Sequence, residues 1–266
     1  MLTVDLAGAR RGTRVVAASG QAVLVVALWV FYLLIRHVFE GSERLARTHA
    51  DDVWSIERTL RLPSEARLQD WVLSSDAAVR VINAIYQYVH FPVMVCTLVL
   101  LYVRRRDVYR WFRNVLILTT GLALVGHISY PLSPPRLEPG FGMADTGTEF
   151  GQSTYAGRPG TGFTNQLAAM PSMHVAWAAL VAVAVICCLR TRWRWLAPLY
   201  ALTILLVVVV TGNHYWLDGI VGLALLAISI LVFRRTGSHL QNDLAPGDGG
   251  QRRPKTCAVA LDVEIT

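Results

Sequence analysis

The sequence predicts an all-α integral membrane protein: a bundle of six transmembrane helices, with short amphipathic interfacial helices between the first and second. Three observations predict it. The chain of 266 residues is 54% hydrophobic, and its apolar residues come in blocks. Most blocks run for about 20 residues without Asp, Glu, Lys or Arg, enough helix to cross a hydrocarbon core of about 30 Å. The arginines gather at every second connection between blocks.

The elements follow in order. A short segment, residues 1–14, precedes the first block, Val15–Ile35. The mixed stretch Glu40–Asp76 places Trp54, Ile56, Leu60 and Leu62 among charges, as one or two amphipathic helices at the membrane surface do. Pro63 followed by Ser64 reads as a break and a restart. The second block is Val81–Val103, in which Pro92 removes a backbone donor and predicts a kink. The third is Asn114–Pro135. A glycine-rich loop, Leu137–Gln166, follows; its composition predicts flexibility, and it reads either as a cover over a site or as a plain surface loop. The fourth block is Leu167–Leu189. The stretch Trp195–Phe233 is too long for one span and divides at "TGNH", Thr211–His214, into a fifth and a sixth helix. Residues 15–235 thus form one membrane domain, and 236–266 a polar tail expected to be disordered.

The net charge of +7 raises the prospect of a nucleic-acid partner, which the distribution rejects. Arg10, Arg11 and Arg14 precede the first span. Arg104, Arg105, Arg106, Arg110 and Arg113 join the second to the third. Arg190, Arg192 and Arg194 join the fourth to the fifth, and Arg234 and Arg235 end the sixth. This is the positive-inside pattern. It predicts an inner (plasma) membrane protein with both termini cytoplasmic. The first block is too long for a signal-peptide core and lacks a clear cleavage site. Cys96, Cys187, Cys188 and Cys257 have the spacing of neither a disulfide framework nor a zinc site.

That topology brings three polar clusters to the extracytoplasmic face. The third helix exits through "SYPLSPPR", Ser129–Arg136; the fourth enters through "PSMH", Pro171–His174; the fifth and sixth meet at "TGNHYWLD", Thr211–Asp218. Proline suits a helix start, so Pro171 puts Ser172 and His174 beside the unpaired N–H groups of a first turn, which attract anions. His214 opens the sixth helix, with Asn213 as its cap. Asp218 lies one turn on, placed to bond one imidazole nitrogen and make the other a better base or nucleophile. Arg136 carries a fork matched to phosphate oxygens. The set is a phosphate site with a histidine nucleophile and a second histidine as acid. Tyr130 and Asn213 are candidates for its phosphate side. Two other readings stay open on the residues alone: a metal held by His174, His214 and Asp218, and a haem between His90 and His127, two histidines whose default reading is structural. The preferred reading needs neither metal nor cofactor.

"PSMH", "NHYWLD" and "YPLSPPR" resemble the motifs of the type 2 phosphatidic acid phosphatase superfamily, and most its inositolphosphotransferase branch, which includes inositol phosphorylceramide synthases. The likeness extends to "NQLAAMPSMH", "VVTGNHYWLDGIVG", "IERTLRLPSEARLQDW" and "YVHFP". It implies a six-helix bundle and metal-independent phosphoryl transfer through a phosphohistidine. By position it makes His214 the nucleophile, Asp218 its orienting partner, His174 the acid, Arg136 the phosphate anchor and Ser172 a phosphoryl hydrogen-bond donor, with the backbone near Gly212. The superfamily's first motif usually begins with a lysine where this chain has Ser129. Its third usually has a Ser-Arg pair where this chain has Val207 and Val208. Two phosphate-binding cations are thereby missing, which favours the transferase-like branch; Arg158 is a candidate substitute.

The expected function is a phosphatase or phosphotransferase acting on a lipid phosphoester. Its expected partners are that lipid phosphate, an alcohol acceptor such as inositol or a lipid, and the surrounding membrane lipids. The rival of another class is a lipid-phosphate binding or transport protein using the same pocket without chemistry.

Overall fold

The structure, a computed structural model, describes residues 42–151 and 166–242, and positions 19–21, 23, 25–27, 30 and 34 of the first apolar block; for 234–242 it describes backbone only. The expected first span therefore lies largely outside the described residues, as do the segment 1–14, Arg158 and the tail beyond 242.

The stretch before the second span forms two helices, α1 (Glu43–Thr59) and α2 (Glu65–Leu73). Ser64 starts α2 by accepting a hydrogen bond from the Arg67 N–H, so the Pro63–Ser64 break falls where expected. Next comes α3 (Asp76–Ala84), capped by Ser75, then a π-helical turn (Ile85–Val89) and α4 (His90–Arg104). The three run on as one 29-residue helix. Pro92 lacks the donor that would bond to the carbonyl four residues back. The wide turn sits directly before that defect, where the ladder has to adjust.

Helix α5 (Arg106–Ser129) returns across the molecule. Short turns at Pro135–Leu137 and Pro139–Phe141 and the one-turn α6 (Thr146–Glu149) follow. The central helix is α7 (Met173–Cys188). A turn at Arg192–Leu196 leads into α8 (Ala197–Val210), and α9 (Trp216–Asn242) closes the described chain. The expected hairpin at Thr211–His214 is present, since α8 stops at Val210 and α9 starts at Trp216.

Among the described residues, four helices are long and apolar enough to cross a membrane: Asp76–Arg104, Arg106–Ser129, Arg192–Val210 and Trp216–Phe233. Their outward residues are apolar and exposed, including Val95, Val99, Leu202, Leu206, Ile220, Leu223 and Leu231. An apolar exterior on long apolar helices marks a membrane protein. The expected fourth span is shorter than its block, because only Met173–Cys188 is helical. Residues 167–169 pair instead with the segment after α5: the Leu132 N–H bonds Leu167 O, and the Ala169 N–H bonds Leu132 O. Pro171 ends that pairing, and α7 starts two residues later.

Helix α7 packs on α4, α5, α8 and α9. It is apolar on every side, as a helix surrounded by helices must be. Ala176, Ala178, Ala182 and Ala184 are buried in it, and small side chains let the neighbours approach. Phe112, Val115, Leu180 and Leu226 fill the core on its α5 and α9 sides.

The first half of the glycine-rich loop is held, which departs from its expected flexibility. The buried Gln69 of α2 donates to Ala144 O and Val210 O and accepts from the Ala144 N–H. Buried Asn83 of α3 exchanges hydrogen bonds with Thr146. Each amide satisfies loop groups that would otherwise be buried unpaired. Cys96 and Cys188 are free thiols.

Candidate active site

The three polar clusters meet at one end of the bundle. The clearest link is backbone to backbone: the Ser172 N–H at the start of α7 donates to Asp218 O in the first turn of α9, 2.9 Å away. The two helices approach so closely that a Cβ on Gly222 would lie 2.5 Å from Ser172 O. Only glycine allows that contact.

His214 precedes α9 and is 7% exposed. Its Nδ1 lies 2.8 Å from Ala169 O and 3.2 Å from Asp218 Oδ2. A carbonyl oxygen only accepts, so Nδ1 must carry the proton. That leaves Nε2 with its lone pair. Asp218 is fully buried; its Oδ2 also accepts the Tyr215 N–H at 2.9 Å. One carboxylate oxygen thus fixes both the histidine ring and the bend that leads into α9.

Asn213 is not the helix cap that its position suggested, because α9 starts three residues later. Its Oδ1 accepts from Arg136 Nε at 2.9 Å, and its Nδ2 donates to Thr211 Oγ1 at 2.8 Å. Arg136 is 7% exposed. Its Nη2 donates to Gln166 Oε1 at 3.2 Å, and its Nη1 pairs with Asp145 Oδ2 at 3.8 Å. Amide oxygens hold the planar fork in place, a geometry that suits phosphate oxygens. Gly212 has φ +66°, and a Cβ there would lie 2.9 Å from Arg136 Cβ. Its carbonyl accepts the Arg136 N–H, and its own N–H is taken by Val209 O. Gly212 therefore contributes the close approach that seats Arg136.

Ser172 is the N-cap residue of α7, one position earlier than expected. Its hydroxyl is buried and has no hydrogen-bond partner. His174 sits in the first turn, partly exposed, with its ring centroid 5.8 Å from that of His214. Tyr130 stacks on His49 of α1, 3.9 Å between centroids. Burial, then nearby Asp52 and Asp218, pushes its hydroxyl pKa up, so it stays a neutral donor.

Ser129, at the position of the expected superfamily lysine, is exposed and bonds back to Val125 O. Val207 and Val208 are buried among apolar neighbours. Neither position supplies a cation. Among the described residues, no three His, Cys, Asp or Glu side chains are grouped to hold a metal ion. His127 Nδ1 bonds Met170 O, bracing the strand-like approach to α7.

Sequence reasoning missed two features. The first is His90, assigned a structural role, whose ring lies 5.1 Å from that of His174. It is 3% exposed, its Nδ1 meets Tyr200 Oη at 3.0 Å, and its Nε2 is buried without a partner. Tyr86 flanks His174 as well, at 4.9 Å. The apolar setting of "YVHFP" hid this, although a histidine inside an apolar block was the available signal. The second is the grip of α1 and α2 on α9. Glu57 Oε1 accepts the Leu217 N–H at 2.8 Å, and Trp216 Nε1 donates to Pro63 O. Glu57 and Glu65 are both fully buried, with Arg58 2.6 Å from Glu65. Burial first, then the neighbouring Glu65 carboxyl, pushes the Glu57 pKa up to about 9.

The structure is thus a helical membrane protein that gathers a buried arginine, two neighbouring histidine rings and a carboxylate-bound imidazole at one end. Residues 51–232, about two thirds of the chain, match the family model of the PAP2 superfamily. The chain belongs to that superfamily. No curated protein and no solved structure matches it significantly.

Proposed function

We propose that the protein is a membrane-embedded phosphotransferase or phosphatase that takes a lipid phosphoester through a phosphohistidine on His214. One observation carries this reading: His214 Nδ1 is bonded to Ala169 O and Asp218, which leaves Nε2 as the nucleophile, with the His174 ring 5.8 Å from the His214 ring. The phosphoryl group is held by Arg136, the Ser172 hydroxyl and the N-terminal end of α7.

Nε2 attacks phosphorus as the P–O bond to the lipid alcohol breaks, and protonated His174 gives its proton to the departing oxygen. The phosphohistidine retains the Nδ1 proton and is cationic at the ring; the Asp218 carboxylate balances that charge. In the second step His174, now neutral, takes a proton from water or from an acceptor alcohol. That oxygen attacks phosphorus and frees His214 Nε2.

The absence of cations at Ser129, Val207 and Val208 supports the inositolphosphotransferase-like branch over simple phosphatidate hydrolysis. The six-span topology, the cytoplasmic termini, the placement of α1 and α2 at the membrane surface and the extracytoplasmic site rest on the arginine pattern. The experiment is a panel of labelled phospholipids, sphingolipids and prenyl phosphates, each with and without inositol or lipid-alcohol acceptors. Transfer of label to an acceptor marks a transferase, and release as free phosphate marks a phosphatase. Activity is expected to persist in EDTA; loss restored by zinc would overturn the metal-free mechanism. Lipid binding with no turnover of any substrate would favour a transport or binding protein.

A further inference from the structure

A second cationic cavity lies at the other end of the helices. It has a volume of ≈ 340 Å³ and is lined by Gln21, Tyr102, Arg106, Tyr109, Arg110 and Arg113. Four of these residues occupy the first two turns or so of α5, whose last residue, Ser129, adjoins the active site. From Arg113 to Ser129 is about 24 Å of helix at about 1.5 Å per residue. The two sites are therefore separated by most of a bilayer's thickness.

The cavity is built for an anion. Among the described residues its lining has three arginines and no carboxylate. Among the described residues the ion pairs are those of Arg47, Arg58, Arg105, Arg136 and His214, and none uses Arg106, Arg110 or Arg113. The neighbouring acid, Asp107, is taken by Arg105. Arg113 is satisfied by amides: it donates to Gln21 Oε1 and to Asn114 Oδ1. Neutral amide oxygens thus position the Arg113 guanidinium. The rings of Tyr102 and Tyr109 lie under Arg106 and Arg113, at 4.9 and 5.8 Å. The Tyr102 hydroxyl is buried and has no hydrogen-bond partner, so a donor stands ready on the cavity wall. Below it on α4, Val99, Leu100 and Val103 present exposed apolar side chains.

We propose that this cavity is a second lipid site, taking the phosphate headgroup of an anionic phospholipid whose acyl chains lie along α4. Arginine forks and a tyrosine hydroxyl match phosphate oxygens, and the apolar α4 surface distinguishes a lipid from a free phosphate ion. The site is separate from the catalytic centre and does not depend on the chemistry proposed there.

The test uses full-length protein in neutral detergent carrying Arg136→Gln, which removes the catalytic site's own phosphate anchor. Phosphatidylglycerol, phosphatidylcholine and inorganic phosphate are titrated, and bound lipid is counted by native mass spectrometry. One phosphatidylglycerol is expected to bind in preference to phosphatidylcholine. Replacing Arg106, Arg110 and Arg113 together by glutamine is expected to weaken it about a hundredfold, and Arg110→Gln alone about fivefold. Arg110 is exposed, so its variant keeps the test valid if the triple variant does not fold. Equal phosphatidylglycerol binding with and without Arg110 would overturn the site. Inorganic phosphate binding as tightly as phosphatidylglycerol would overturn the lipid assignment.

Discussion

The two histidines of the site differ in burial. His214 is almost completely buried, and two oxygen acceptors on Nδ1 fix its tautomer and ring plane. His174 is partly exposed and is flanked by the rings of Tyr86 and His90. A nucleophile gains from a single fixed protonation pattern, because its reactive lone pair must always point the same way. An acid that later acts as a base must gain and lose a proton in each cycle. Partial exposure lets such a group exchange its proton. The difference in burial supports the roles proposed for the two rings.

The largest break in this comparison is His214→Ala. It removes the nucleophile and is expected to lower turnover by about 10⁴-fold or more, with the fold kept, as judged by an unchanged thermal midpoint. Asp218→Asn keeps the shape but offers a group that can donate to Nδ1 and so favour the wrong tautomer. A loss of about 10³- to 10⁴-fold in kcat is expected, and a change confined to KM would contradict the orienting role.

His174→Gln sharpens the other side. Acid loss is expected to cost about 10²- to 10⁴-fold with an alkyl leaving group. With a nitrophenyl leaving group, which needs little protonation, most of that loss should disappear. An equal loss with both substrates would remove His174 from the acid role. His90→Phe keeps a ring beside His174 but removes both nitrogens and the bond to Tyr200. A kcat decrease of about tenfold with a displaced pH profile is expected for a positioning residue. A purely packing residue would leave that profile in place.

The smallest effect is on stability. The Glu57 carboxyl has its pKa raised from 4.5 to about 9. Between those values the folded protein keeps a proton that the unfolded chain has lost, so stability falls as pH rises across that window and levels off above it. Glu57→Gln, which cannot ionise, is expected to flatten this slope in thermal midpoints measured from pH 5 to 9. An unchanged slope would place the titrating group elsewhere.

Much of this was legible in the sequence, for reasons that particular residues show. Charge-free apolar blocks gave the helices because bilayer thickness sets their length. Pro63–Ser64 and Thr211–His214 were readable because local backbone chemistry alone decides such breaks. Arg136, Ser172, His174, His214 and Asp218 stood out as polar groups at the ends of apolar blocks, where each needs a reason. What escaped was tertiary. Asn213 read locally as a cap, but its side chain turns to Arg136, 77 residues earlier in the chain. Gln69 and Asn83 looked like ordinary helix-surface amides, and only packing made them anchors for the loop. The fourth block looked helical throughout, until the segment after α5 claimed Leu167 and Ala169 as backbone partners.

The central claim is a covalent phosphoryl group on His214. Protein mixed with lipid substrate labelled at phosphorus, quenched within one turnover and digested, should yield one labelled peptide. That label should be lost in acid, survive alkali, map to His214 and be absent from His214→Ala. Label on another residue, or turnover with no trapped label while His214→Ala stays active, would contradict the account.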